Sequence, residues 1–198
     1  MTHDDVFDQS TFDHEREYGI QSTFFLLSNQ ISRHHDSAEL HFDKAYGTLD
    51  MQVYEFYQQT GRFPTMNRTH RLFWRSDFFD LAFLCFKGFT VDSTIIGNEP
   101  YRLCVEGKLL PIWEVPITVS DRSSDGRLIA SWNRTRDIES LFRESVTPIV
   151  ANCHANSQLE RLRMKSDFER ICKLKEKYAY TALTMKDFYQ EHLKVFSC

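Results

Sequence analysis

The feature that most constrains this chain is the regular alternation of strand-like and helix-like segments. Runs rich in β-branched and aromatic residues (Ile20 to Leu27, Ala38 to Phe42, Phe89 to Asp92, Thr147 to Cys153) are short enough to be buried strands. Helical segments stand between them. Thr48 to Thr60 sets Leu49, Val53, Phe56 and Tyr57 on one face and is closed by Gly61. Phe7 to Tyr18 ends at Gly19, which suits a helix C-cap, and Ser76 is placed to cap an apolar helix from Asp77 to Phe86 that Gly88 stops. Arg134 to Glu144 and Gln158 to Lys177 read as later helices, and another begins at Thr184. Phe63 to Arg68 is extended because the residue before Pro64 avoids the α region. Leu110 to Val119, interrupted by Pro111 and Pro116, reads as a strand of edge or bulge character. Strands with helices between them predict an α/β fold built on a parallel sheet or barrel. In barrels of this kind the active site lies at the C-terminal ends of the strands.

At 198 residues the chain has the length of one domain with a sizeable core, so a single domain over 1-198 is expected. A net charge of -4 gives no electrostatic footprint for nucleic acid or an acidic membrane surface. No apolar run is long enough to span a bilayer. The five cysteines are odd in number, contain no CxxC pair and follow no secretory h-region. They predict buried thiols in a reducing, cytoplasmic compartment. Neither composition nor pattern speaks to the oligomeric state.

The chemistry-bearing stretch is the first, Thr2-His3-Asp4-Asp5-Val6. Two adjacent carboxylates and an imidazole ahead of an apolar run fit a strand end that holds a metal or a general base; taken alone they fit better a helix N-terminus, where carboxylates favour the macrodipole, and the order of the following segments shifts the balance. His41, His70 and His154 also read as lying at strand ends. Convergence of these four places is the first expectation.

The order of segments resembles the polysaccharide deacetylase family, the NodB-like carbohydrate esterases. Thr2-His3-Asp4-Asp5-Val6 stands where that family opens with T-F-D-D-G, and Gly19-Ile20 through Thr23-Phe24-Phe25 is similar to its next strand. Thr60-Gly61-Arg62-Phe63-Pro64 with Arg68 looks like its third motif region. Gly88-Phe89-Thr90-Val91-Asp92-Ser93 and Trp113-Glu114-Val115-Pro116 resemble two later strands, and Ile149 to His154 the late strand that delivers a histidine. The resemblance implies a distorted or incomplete (β/α) barrel and roles for single residues. Asp4 is implied as general base, Arg68 as the residue that orients it, and His154 as general acid. Asp5 and His41 are implied as metal ligands. The second histidine of the family's metal motif falls on Ala45, and His70, two residues after Arg68, is the leading replacement. Only Met1 precedes Thr2, so the resemblance also implies that the domain lacks its first strand and leaves Asp4 and Asp5 on a frayed terminus.

The function implied is metal-dependent hydrolysis of an amide, most plausibly an N-acetyl group on a sugar or polysaccharide. The cofactor is a divalent metal, zinc first, and the partner is a carbohydrate or N-acetylated small molecule. Two rivals stand beside it: a catalytically silent relative that binds glycan or protein, and a hydrolase of another non-peptide C–N bond.

Overall fold

The computed structural model describes residues 1–5, 9–28, 31, 38–69, 78–121, 138–154 and 157–194. The strands are β1 (Thr2–Asp5), β2 (Thr23–Leu26), β3 (Ala38–Phe42), β4 (Met66–Thr69), β5 (Val91–Asp92), β6 (Tyr101–Val105), β7 (Lys108–Glu114), β8 (Val119–Ser120) and β9 (Ala151–His154). The helices are α1 (Gln9–Glu17), α2 (Leu49–Thr60), α3 (Phe78–Phe86), α4 (Ile138–Arg143), α5 (Gln158–Lys177) and α6 (Met185–Phe188), the last continued by a π-helical turn over Tyr189–Leu193.

One sheet joins all nine strands in the order β6-β7-β5-β4-β3-β2-β1-β9-β8. Every pairing is parallel except β6 with β7, a hairpin turned at Glu106 and Gly107, both with positive φ. The fold is therefore mixed α/β, and among the described residues the sheet stays open, with β6 and β8 at its edges. The distorted or incomplete (β/α) barrel that the resemblance implies is thus seen only as its mixed α/β sheet, without closure, and the segment after β7 carries the chain across the gap. Val115 N–H donates to Asp92 O at one side, and Thr118 N–H donates to Val150 O at the other.

The acid pair does not lie on a frayed end. β1 is an interior strand, paired with β2 on one side and β9 on the other, and Thr2, His3 and Asp4 are buried. Two further boundaries differ from the sequence reading. Leu110 to Val119 is not one strand: β7 ends at Glu114, the chain crosses, and β8 begins at Val119. The hairpin partner β6 has no strong apolar pattern, being half exposed, and only pairing with β7 makes it a strand.

Strand alternation sorts the side chains into two faces. Phe24, Leu26, Ala38 and Leu40 point outward and pack under α2 and α3 with Val53, Phe56 and Leu84. Cys153, Ala151 and Val119 meet α4 and α5 through Ile138, Leu141, Met164 and Phe168. The inner face carries Phe25, Met66, Val91 and Val150, and the C-terminal segment covers these with Met185, Tyr189 and Leu193. Thr23 Oγ1 accepts from Met185 N–H at 2.8 Å and pins that segment to β2. Two helices are fixed by local chemistry. Thr48 caps α2, which Gly61 ends in the left-handed conformation, and Ser157 with Glu160 forms a reciprocal capping box on α5.

Candidate active site

The inner face turns polar beyond the apolar plug, toward the C-terminal ends of β1, β3, β4 and β9. Arg68, on β4, is wholly buried there. Its Nε donates to Ser93 O at 2.7 Å and Nη2 to Ser93 Oγ at 2.7 Å. Nη1 stands 2.9 Å from Thr2 Oγ1, 2.8 Å from Asp4 Oδ1 and 2.7 Å from Asn152 Oδ1, so one of its two hydrogens is shared. The guanidinium also lies over the Phe25 ring, 4.3 Å from its centroid. Two strands separate β4 from β1, about 14 Å along a flat sheet at ~4.8 Å per strand. A contact at 2.8 Å therefore needs both the reach of arginine and a strongly curled sheet.

Asp4 is the centre of this arrangement. Its Oδ1 accepts from Arg68, and its Oδ2 accepts from Asn152 Nδ2 at 2.8 Å. Burial, the largest influence, pushes its pKa upward, but the positive charges of Arg68, His41 and His154 outweigh it and hold the carboxyl below its ordinary value. Asp4 is thus ionised at neutral pH. His154 Nε2 stands 3.9 Å from Asp4 Oδ2. The other ring nitrogen, Nδ1, lies 2.7 Å from Asp121 Oδ1, and Asp121 Oδ2 accepts His154 N–H at 2.8 Å. A carboxylate can only accept, so Nδ1 carries the hydrogen and Nε2 faces Asp4.

Of the expected residues, Asp4, Arg68 and His154 come together. His41 is buried on the same face, in register with Arg68, and its charge is felt at Asp4. Asp5 ends β1 opposite Leu26; its side chain lies outside the described residues, as does His70. Among the described residues no three His, Cys, Asp or Glu side chains form a group able to hold a metal ion. His41 is therefore the one expected ligand whose side chain is placed. His3 faces away from the site, stacked on Phe24 at 4.7 Å and bonded to Glu15 Oε1 at 2.5 Å. Trp113 packs at the inner core, while Trp74 and Trp132 lie outside the described residues. Glu39 is also buried on the inner face, but the N–H groups of Thr65 and Met66 and the Arg62 guanidinium occupy it.

Sequence reasoning missed Asp121, Asn152, Ser93 and Thr2 as members of this network. Two carried a signal. Asn152 is two residues before His154 on one strand and so shares its face, and Asp121 directly follows the strand Val119–Ser120.

A cavity of about 440 Å³ lies elsewhere, toward the N-terminal ends of β1 and β9, between Thr2, Ala151, Phe142, Tyr180 and Met185. It contains none of Asp4, His41, Arg68 or His154, so the acid–base groups and not this cavity mark the candidate site.

No family model matches the chain, and no curated protein matches it in sequence. Among solved structures, one described as a "putative polysaccharide deacetylase from Mycobacterium smegmatis" superposes with a TM-score of 0.63 at 15% identity, covering 94% of this chain and 76% of its own. The chain has the polysaccharide deacetylase fold. Two further structures, a T48 deacetylase with substrate and one from Bordetella bronchiseptica described as a "putative polysaccharide deacetylase involved in o-antigen biosynthesis", superpose with TM-scores of 0.49 each at 13% identity. They cover 96% of this chain and 88% and 87% of their own, and at that similarity they add no weight. On this fold Asp4 and His154 stand on adjacent strands, in direct register, at the end where sheet-borne sites form.

Proposed function

We propose that this protein is a metal-dependent amide hydrolase that removes N-acetyl groups from a sugar or polysaccharide. One observation carries the reading. An ionised, wholly buried aspartate held by Arg68 and Asn152 faces the Nε2 of a histidine whose far nitrogen is fixed by Asp121. An ionised carboxylate and a steered imidazole are the pair that amide hydrolysis needs, one to take a proton from water and the other to give one to the leaving amine. The fold shared with the Mycobacterium smegmatis protein supports the choice of an acetylated carbohydrate.

In this reading Asp4 accepts the proton of the attacking water at the oxygen not bound to Arg68. Its depressed basicity keeps it ionised, and Arg68 keeps its orientation. His154, protonated at Nε2, delivers a proton to the amine nitrogen as the C–N bond breaks, with Asp121 stabilising the imidazolium. A divalent ion would be held by His41 with Asp5 and His70, a mixed nitrogen and oxygen set that suits zinc. When bound, it would polarise the acetyl carbonyl and lower the pKa of water.

The test is amine release from a panel of N-acetylated oligosaccharides by protein reconstituted with zinc, alongside metal content by mass spectrometry. Stoichiometric metal that is lost in His41→Ala, together with amine release from at least one glycan, is the expected outcome. Protein that retains no metal and releases no amine from any member of the panel would return the chain to the silent, binding class.

A further inference from the structure

The cavity of about 440 Å³ lies between two packed clusters of the fold and takes no part in the chemistry proposed above. Phe142, Ile171 and Tyr180 reach it from one cluster, and Val150, Met185 and Phe188 from the other. Protein interiors are otherwise close-packed, with few voids larger than a water molecule, so a space of this size marks a place where side chains stop short of meeting. Water is a poor filling for it, because each molecule needs about two to four polar partners. Hydroxyls in the wall are already engaged: Tyr180 donates to Val146 O at 2.8 Å, and Thr184 donates to Asp187 Oδ2 at 2.5 Å. Collapse is blocked as well. The wall segment 178–185 is tied at one end by the Tyr180 hydroxyl and at the other by the Met185 N–H, which donates to Thr23 Oγ1 at 2.8 Å. His192 lines the cavity and is itself exposed, so the space opens to solvent on that side.

The charge of the lining is one-sided. Lys175 and His192 contribute basic groups, and among the described residues no aspartate or glutamate lines the cavity. His192 stands 3.8 Å from its chain neighbour Glu191, which is not part of the wall. Lys177 is paired with Glu139 at 2.7 Å, but the half-buried Lys175 ammonium meets no carboxylate among the described residues. Its place in the last turn of α5 suits the helix macrodipole, which accounts for a lysine there but not for one that borders a cavity without an acid. The carbonyls at that helix end do not oppose an anion, because Leu174 O, Lys175 O and Glu176 O accept from the N–H groups of Tyr178, Tyr180 and Ala179. We propose that this cavity binds a small amphipathic carboxylate, with its apolar chain between Phe142 and Met185 and its carboxylate on Lys175. An apolar chamber with one convergent charged group at its opening is the usual form of such a site. The proposal stands apart from the deacetylase reading, since none of the acid–base groups lines the cavity.

The experiment is carbon NMR of methionine methyl groups in the full chain, with decanoate, decan-1-ol and decyltrimethylammonium as probes, each below its micelle-forming concentration. Met185 lies in the wall, whereas Met51 is on the exposed side of α2, so the two methyls report the cavity and the surface separately. Decanoate is expected to shift Met185 saturably, with a Kd below about 1 mM, and to leave Met51 in place. Lys175→Met keeps the apolar stem and removes the charge. It weakens decanoate binding by about tenfold or more and leaves decan-1-ol binding at its wild-type strength. Absence of a saturable Met185 shift with decanoate overturns the proposal. Decanoate affinity unchanged in Lys175→Met overturns it too, as does an equal fall for decan-1-ol, which would trace the loss to shape and not to charge. Decyltrimethylammonium bound as tightly as decanoate would likewise exclude an anionic occupant. None of these readouts needs turnover, so failure of the deacetylase reading leaves them decisive.

Discussion

Replacing Arg68 with methionine isolates the buried ion pair from the rest of the structure. The side chain is wholly buried, and its five donor contacts end on Thr2, Asp4, Asn152 and two atoms of Ser93. Methionine fills much of the volume but leaves Asp4 as a buried carboxylate without its cation. Removing one partner of such a pair costs about 3–5 kcal/mol, a large share of the ~5–15 kcal/mol that holds a domain together. The cost depends on pH with a definite sign. In wild type the Asp4 pKa is depressed, so its contribution is present above the unfolded value of about 3.9 and is lost as pH falls through the folded value. In Arg68→Met the burial influence dominates, the folded value moves above the unfolded one, and the variant loses stability as pH rises. The gap between the two proteins therefore widens from pH 4 to pH 7. At the acid end only the neutral hydrogen bonds are missing, roughly 1–3 kcal/mol. Urea denaturation at four or five pH values measures it. The double variant Asp4→Leu/Arg68→Met, which removes both charges, recovers at least half of the neutral-pH loss. A gap below about 1 kcal/mol at pH 7, or one that does not change with pH, would refute the assignment of Arg68 and Asp4 as a desolvated pair.

Asp121→Asn removes the carboxylate that steers His154; amine release falls by at least about tenfold, measured as kcat at saturating substrate, with the fold intact by circular dichroism. Asp167, on α5, has its pKa raised to about 6, chiefly by burial, so stability falls as pH rises from the unfolded value of about 3.9 to about 6 and stays reduced above it. Asp167→Asn accordingly raises the melting temperature at pH 7.5 and leaves it unchanged below about pH 4, where both states are protonated. Ser157→Ala removes half of the capping box on α5 and lowers stability by ~1 kcal/mol in urea denaturation, whatever the pH between 6 and 8.

Much of the scaffold was legible because local rules and tertiary packing agree in it. Ala38–Phe42 and Gln158–Lys177 were read with the bounds they have, and α2 follows from its Thr48 cap, apolar face and Gly61 stop. What the residues could not convey was curvature. Nothing in Met66-Asn67-Arg68-Thr69 shows that β4 faces β9 across a concave sheet, yet Arg68 bonds Asn152 there. The same gap hid the role of Asp121, which depends on β8 joining the far edge of the sheet after the chain has crossed from β7. With only Met1 ahead of Thr2, the sequence leaves the acid pair on a frayed end, whereas Thr2, His3 and Asp4 lie within an interior strand. They are buried because each has a partner: Thr2 and Asp4 at Arg68, His3 at Glu15. Alternation predicts a parallel sheet or a barrel, and it does not fix whether the last strand meets the first.

The central claim is that Asp4 and His154 act on one bond from adjacent strands. The most direct measurement is the rate of amine release from an N-acetylated glycan by zinc-reconstituted wild type, Asp4→Asn and His154→Gln, with equal metal content verified in each. Losses of about 100-fold or more in kcat for both single variants, and little further loss in the double, are predicted for two groups that serve a single step. Undiminished release by Asp4→Asn would contradict the account.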